Sequence, residues 1–443
     1  MALMLKHQFV MTQLLNRIDK NIYKEKLPTV RNLMEEFQVS QTTITQALQQ
    51  LVDLNRIYVK ENVGYFIIPN KTTSRNTKTY FDFSTASTSW TDFPIDSYAQ
   101  CLEIALKKEK VELFRYGSAD GNPALKKIFQ KLLEEEQLYF KLDQLLITSG
   151  TQQSLHLLAL MLRQSESFLI EQPTYHLMIK LIERLNVHYT TYHRQLNQID
   201  LVELEKTIRK SHPQYLFLMP RLHNPLGTTM SEHEKRKILD FANQYDFYII
   251  EDDYLSDFER SNKYKTMFEM DTNDRVIYLK SFSKIMFPGQ RLGLIILPEK
   301  LVRPFIHLKE VTDIQTNSLS QVIMQTFIES GLYEYHREKI VQRHKSKAYT
   351  LRLALSRHLK NYSFCDNHQM HTVIELAKET NMDRLYRELK KRNVRVDNHK
   401  TNYISNYRHK DKFLRLNTTS IADNQIDQGV SLILEALEKS KSY

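Results

Sequence analysis

The chain has 443 residues, 41% of them apolar and 26% charged, which leaves room for two or three globular domains with a sizeable core. No run of about 18 apolar residues occurs, and the opening MALMLKHQFVMTQLLNRIDKNIY is amphipathic without an apolar stretch ending in a cleavage site. A membrane span and a signal peptide are therefore not expected. Two cysteines, Cys101 and Cys365, are too few for a disulfide framework or a metal cluster, so a reducing cytoplasm and no metal are expected.

The net charge of +10 permits a nucleic-acid partner without requiring one. Residues 1–70 hold eight basic side chains against six acidic ones, so the excess lies elsewhere.

The first 70 residues nevertheless have a definite grammar. Pro28 and Thr29 open a helix with Leu33, Met34 and Phe37 on one side, and Thr29 suits its N-cap. After a short turn, Ser40 caps a second helix whose apolar stripe is Ile44, Ala47, Leu48 and Leu51. NRIYVKENVGYFII then reads as a β-hairpin with Gly64 near its turn. Helix, turn, helix and wing is an arrangement that reads double-stranded DNA with the second helix in the major groove. The expected contact residues are Arg31 at the head of the first helix, Ser40, Gln41, Thr42, Thr43 and Thr45 at the head of the second, and Gly64 in the wing. Gln pairs with adenine edges, and Thr reaches phosphates or thymine methyls.

This unit resembles the winged-helix domain of the GntR family through its LP-T-x-R-x-L start, VS-x-T-T recognition helix and glycine-bearing wing. It departs at Gln41, where the family often has Arg, so the operator sequence cannot be transferred.

PNKTTSRNTKT, residues 69–79, is polar and reads as a linker. Beyond it, strand candidates at 145–150, 167–173, 215–220, 247–253, 275–281 and 293–298 alternate with amphipathic helices. That pattern predicts an α/β domain with a mainly parallel sheet, followed from about 335 by a smaller α+β part.

Five segments of this region carry chemistry in chain order. TSGTQQSL puts Gly150, Thr151 and Gln152 at a strand-to-helix turn, where backbone N–H groups bind phosphate. EQPTY offers Tyr175 for stacking on a ring, and PRLHNPLGTTMS sets Asn224 in a turn. IIEDDY ends a strand in carboxylates that can keep a pyridine nitrogen protonated, followed by Tyr254 for a ring hydroxyl. SFSKIMFPGQRLG places Lys284 to form a Schiff base with a cofactor aldehyde, with Ser281, Ser283 and Arg291 for a phosphate.

Together these residues resemble the aminotransferases of the class that includes aspartate aminotransferase. The similarity is closest to the MocR-like subgroup, in which that domain is fused to a GntR-type winged helix. The implied fold class is α/β: an N-terminal winged helix-turn-helix domain at 1–69, a linker at 70–80, a large domain with a mainly parallel sheet at 81–330 that binds pyridoxal 5'-phosphate, and a small C-terminal α+β domain at 331–443. The implied roles are an internal aldimine at Lys284, Asp252 against the pyridine nitrogen, Tyr254 and Asn224 at the ring hydroxyl, and Tyr175 on the ring face. Thr151, Gln152, Ser281, Ser283 and Arg291 would hold the phosphate. Tyr116 would reach the phosphate of the partner subunit in a homodimer, and Arg415 in FLRLN would bind a substrate carboxylate.

The implied function is a regulator that senses the cofactor or an amino compound by aldimine exchange. His223-Asn224-Pro225-Leu226-Gly227 is closer to the enzyme form of its segment than to the regulator form, which leaves an active aminotransferase open beside a cofactor-free dimerisation scaffold.

Overall fold

A computed structural model of the protein describes residues 6–440 except 20–21, 24, 55, 61–62, 69–79, 87–91, 197, 260–263 and 366–369. The chain forms two compact units, Met1–Lys78 and Thr79–Tyr443. Nearly all of the expected linker lies outside the described residues.

The first unit packs helices Lys6–Asp19, Val30–Phe37 and Gln41–Asp53 around Val10, Leu14, Leu33, Ile44, Leu48 and Leu51. Thr29 caps the second helix, accepting from Asn32 N–H at 3.3 Å, and Ser40 caps the third, accepting from Thr43 N–H at 3.4 Å. Strands Ile57–Lys60 and Gly64–Ile67 pair antiparallel, with Lys60 opposite Gly64. Gly64 has φ +125°, so the tight return needs a residue without a Cβ.

The second unit is built on a seven-stranded sheet. Its spatial order is Leu145–Thr148, Gly293–Ile296, Val276–Ser281, Tyr248–Asp252, Tyr215–Leu218, Phe168–Gln172 and Tyr189–His193. Gly293–Ile296 runs antiparallel to both neighbours, and the remaining neighbours are parallel. The inner strands are continuous apolar runs because helices cover both faces. Ile170, Phe217, Ile250 and Ile277 face one core, and Leu169, Leu216, Ile249 and Val276 the other. Tyr189–His193 went unnoticed in the sequence, where YTTYH reads as a polar stretch; its edge position leaves it mostly uncovered.

The C-terminal lobe pairs His371–Glu375 with Phe413–Asn417 and packs them against helices Met382–Lys391 and Ile426–Ser440. Residues 81–83, expected to open the large domain, belong here instead. Phe81–Asp82 pairs in parallel with Val394–Arg395, and Phe81 and Phe83 enter the small-lobe core. The expected boundary at 331 is not a clean break either. Helix Leu332–His358 packs Tyr333 and Ile340 on the large lobe and Leu351 and Leu355 on the small one.

Candidate cofactor pocket and DNA-reading face

Parallel sheets bind ligands beyond the carboxyl ends of their strands. Four strands here end at Gln172, Leu218, Asp252 and Ser281, and the turns that follow carry Tyr175, Asn224, Tyr254, Ser283 and Lys284. Residues scattered through the sequence are thus delivered to one rim.

Asp252 and its neighbours in the acidic run differ sharply. Asp253 accepts from Arg221 Nη2 at 2.9 Å and Tyr278 Oη at 3.0 Å, and Glu251 accepts the backbone N–H of Met267 and Phe268 at 3.0 and 2.9 Å. Asp252 is 2% exposed, yet among the described residues its Oδ1 has no hydrogen-bond partner. Burial pushes its carboxyl up to about 7, with the charge of Asp253 adding to the effect. A buried carboxylate without a cation fits the protonated nitrogen of a pyridine ring.

The candidate phosphate end is open as well. Gly150 precedes helix Thr151–Leu160 and provides no side-chain cap; Gln153 N–H donates to Gly150 O at 3.0 Å, and the N–H groups of Thr151 and Gln152 stand at the helix head where an anion would bind. Gly150 has φ +88°, and a Cβ there would meet the Arg291 guanidinium at 3.0 Å. Arg291 Nη2 donates to Ser149 O at 2.8 Å, and the hydroxyls of Ser281 and Ser283 lie 2.9 Å apart. Gln152 is half-buried with an unpartnered Oε1.

Lys284 donates to the backbone oxygen of Ala86. Burial lowers its ammonium to about 8, the Arg415 charge pushing the same way and Asp397 opposing. A lysine so tuned carries a neutral, nucleophilic fraction near neutral pH. Tyr175 is half-buried beside the pocket; burial and then the charge of Asp252 raise its phenol. Tyr254 Oη donates to Leu222 O at 2.9 Å. Asn224 Oδ1 accepts from Arg415 Nη1, and Arg415 also binds Asp397. Tyr116 is 84% exposed.

His223, the chain neighbour of Asn224, lies beside a buried group that sequence reasoning missed. Glu171 accepts from Arg194 Nη1 at 2.6 Å and Tyr192 Oη at 2.9 Å, and lies 3.1 Å from His223 Nε2. Burial works against its charge, but Arg194 and His223 hold it down at about 2. Asp397 and Ala86 were missed as well, since neither falls in a motif.

On the first unit, Arg31 is exposed with Glu35 3.5 Å away, and Gln41, Thr42 and Thr45 are exposed at the head of the third helix. Ser40 and Thr43 spend their hydroxyls on each other, 2.9 Å apart, within the cap, and Thr45 Oγ1 donates to Gln41 O at 2.9 Å. Lys26 and Lys60, which the sequence reading passed over, flank Phe66 on the wing at 5.4 and 4.7 Å from its ring centroid.

A winged helix and an aminotransferase fold in one chain define a DNA-binding transcription regulator with an aminotransferase-like domain. Residues 92–433 match the aminotransferase class I and II family and residues 6–67 the bacterial regulatory proteins of the gntR family, so the chain belongs to the regulators of MocR-like architecture. It is 33% identical over 443 residues to the uncharacterized HTH-type transcriptional regulator YcxD of Bacillus subtilis, covering 98% of this chain and 100% of that one. It is 28% identical over 265 residues to aromatic-amino-acid aminotransferase 1 of Thermococcus litoralis, covering 58% and 63%. Among solved structures, a kynurenine aminotransferase of Pyrococcus horikoshii shares the fold at a TM-score of 0.76 and 23% identity, over 83% of this chain and 93% of that one. The cofactor that goes with this domain is pyridoxal 5'-phosphate. Among the described residues no helix is long and apolar enough to cross a membrane.

Proposed function

We propose that the protein is a ligand-responsive regulator that works as a homodimer in the cytoplasm. Its winged helix reads operator DNA, and its aminotransferase-like unit holds pyridoxal phosphate and senses that cofactor or an amino compound. The observation that carries this reading is Asp252, a buried carboxylate whose Oδ1 has no hydrogen-bond partner among the described residues, at the rim where Lys284 also lies. Pyridoxal phosphate, when bound, supplies an aldehyde that condenses with amines and a ring nitrogen that takes a proton.

In this reading Asp252 keeps the ring nitrogen protonated, and Gly150, Thr151, Gln152, Ser281, Ser283 and Arg291 hold the phosphate. Tyr175 stacks on the ring, and Tyr254 and Asn224 serve its hydroxyl. Lys284 would hold the aldehyde, and its Nζ, when not so engaged, has the Ala86 carbonyl oxygen to donate to. Arg415 and Asp397 meet the rest of the ligand. Arg31, Gln41, Thr42, Thr43, Thr45, Lys26 and Lys60 face the DNA, with Ser40 and Gly64 shaping the helix head and wing.

A physical route for coupling is at hand. Ala86 lies in the segment that follows the joint between the two units. That segment is tied to the small lobe through Phe81–Asp82 and through Asn417 Nδ2, which donates to Ser84 O at 3.0 Å. A change at Lys284 or Arg415 would therefore reach residues 81–86, which follow the joint between the units. Phe114, 93% exposed, and the exposed Tyr116 and Val111 support a second copy covering this surface.

The test is operator affinity, on DNA selected from a random pool by the full chain. Saturating pyridoxal phosphate, with and without an amino compound that changes its spectrum, is expected to shift affinity or footprint. Identical binding in all states would overturn the coupling.

A further inference from the structure

The ligand end of the pocket already contains a carboxylate. Asp397 follows Val394–Arg395 and shares the small lobe with Arg415. Its Oδ2 accepts from Arg415 Nε at 3.0 Å, from Arg415 Nη2 more closely still, and from Asn417 Nδ2 at 3.4 Å. Arg415 Nη1 is taken by Asn224 Oδ1. The Nε–Nη2 edge of the guanidinium, one of the two edges that can receive a carboxylate bidentately, is therefore filled from within the chain, and its charge is met. A ligand carboxylate brought to the remaining Nη protons would lie within a few ångströms of Asp397, whose partial burial strengthens like-charge repulsion.

The neighbouring groups do little to offset it. Burial, then Arg415 and Lys180, lower the His176 pKa, so it is neutral at pH 7; Lys180 itself is exposed, and Lys284 is committed to the cofactor.

We infer that Asp397 sets ligand specificity, so that the pocket selects primary amines with no carboxylate beside the amine and rejects α-amino acids. The inference rests on the cofactor-sensor reading above.

Ethylamine and L-alanine differ by one carboxylate and are the probes. The full chain loaded with pyridoxal phosphate is titrated with each while its Schiff-base spectrum is followed. Each midpoint is taken relative to that amine's condensation with free pyridoxal phosphate in the same buffer. On that scale ethylamine is expected to bind about tenfold or more tighter than L-alanine, and Asp397→Asn is expected to shift the ratio about tenfold toward L-alanine, which is about 1.4 kcal/mol. Tighter or equal binding of L-alanine by the wild type overturns the inference without any variant, which also covers a variant that fails to fold. A ratio unmoved in a folded Asp397→Asn overturns it as well. A wild type with no Schiff-base band defeats the sensor reading and this inference together, whereas a normal band with L-alanine preferred defeats this inference alone.

Discussion

The two ends of the pocket are built on opposite plans. At the end proposed for the ring nitrogen and phosphate, polar groups are left open: among the described residues Asp252 Oδ1 has no partner, and the helix beginning at Thr151 has no side-chain cap. At the ligand end each charged group already has a companion, Lys284 on the Ala86 carbonyl oxygen and Arg415 on Asp397 and Asn224. Burying a polar group without a partner is costly, so the open end is the part shaped by a permanent occupant. The satisfied end can stand without a ligand and must exchange internal contacts to accept one. That is the property a switch needs, because a ligand shifts an equilibrium only through contacts that differ between states.

Several changes sharpen this contrast. The largest effect is expected from Arg221→Ala. It strands the buried Asp253, whose partners are Arg221 and Tyr278, and removing one side of a buried ion pair costs about 3–5 kcal/mol. Chemical denaturation of the cofactor-free protein measures it, and a loss below 1 kcal/mol would erase the distinction between the two aspartates.

Asp252→Asn is expected to behave in the reverse way. Cofactor-free stability holds or rises, while pyridoxal phosphate binds on the order of 10–100-fold more weakly, the worth of a charge-assisted hydrogen bond. The pH dependence has a definite sign. Asp252 titrates near 7 when folded and near about 4 when unfolded, so the folded state holds the extra proton between those values. Its contribution is fully present below about pH 4 and is lost as pH rises toward 7. Glu251, also pushed up to about 7 by burial and then Asp253, acts in the same sense. Relative to the wild type, cofactor-free Asp252→Asn should therefore gain stability as pH rises from 4 to 7; equal slopes would contradict the assignment.

Gly150→Ala tests the phosphate end. A Cβ at φ +88° and ψ 159°, a region essentially confined to glycine, costs about 1–3 kcal/mol and crowds Arg291, so cofactor affinity should fall roughly tenfold in an equilibrium dialysis titration. The smallest effect belongs to Ser40→Ala, which removes the cap of the recognition helix. It should cost about 1 kcal/mol within the first unit and weaken operator binding, with the cofactor spectrum unchanged. A spectral change there would show that the two units do not fold independently.

Much of this was legible in the sequence because the signals are local. Apolar runs bounded by turns marked six of the seven strands of the sheet, one of them the edge strand Leu145–Thr148, and the residues around Gly150, Asp252 and Lys284 marked the rim. What stayed hidden depends on contacts distant in the chain. A two-residue ladder between Phe81–Asp82 and Val394–Arg395 has no periodicity to betray it. Asp253 looks identical to Asp252 until Arg221 is seen beside it. Asp397 meets Arg415 only because two small-lobe strands bring together residues 18 apart.

The most direct test of the account is the absorption spectrum of the full chain with pyridoxal phosphate, set beside Lys284→Ala. The account requires a Schiff-base band in the wild type that the variant lacks, with both proteins still binding DNA. No band in either would mean that the open end of the pocket holds no cofactor, and would leave the aminotransferase fold as a scaffold for the winged helix.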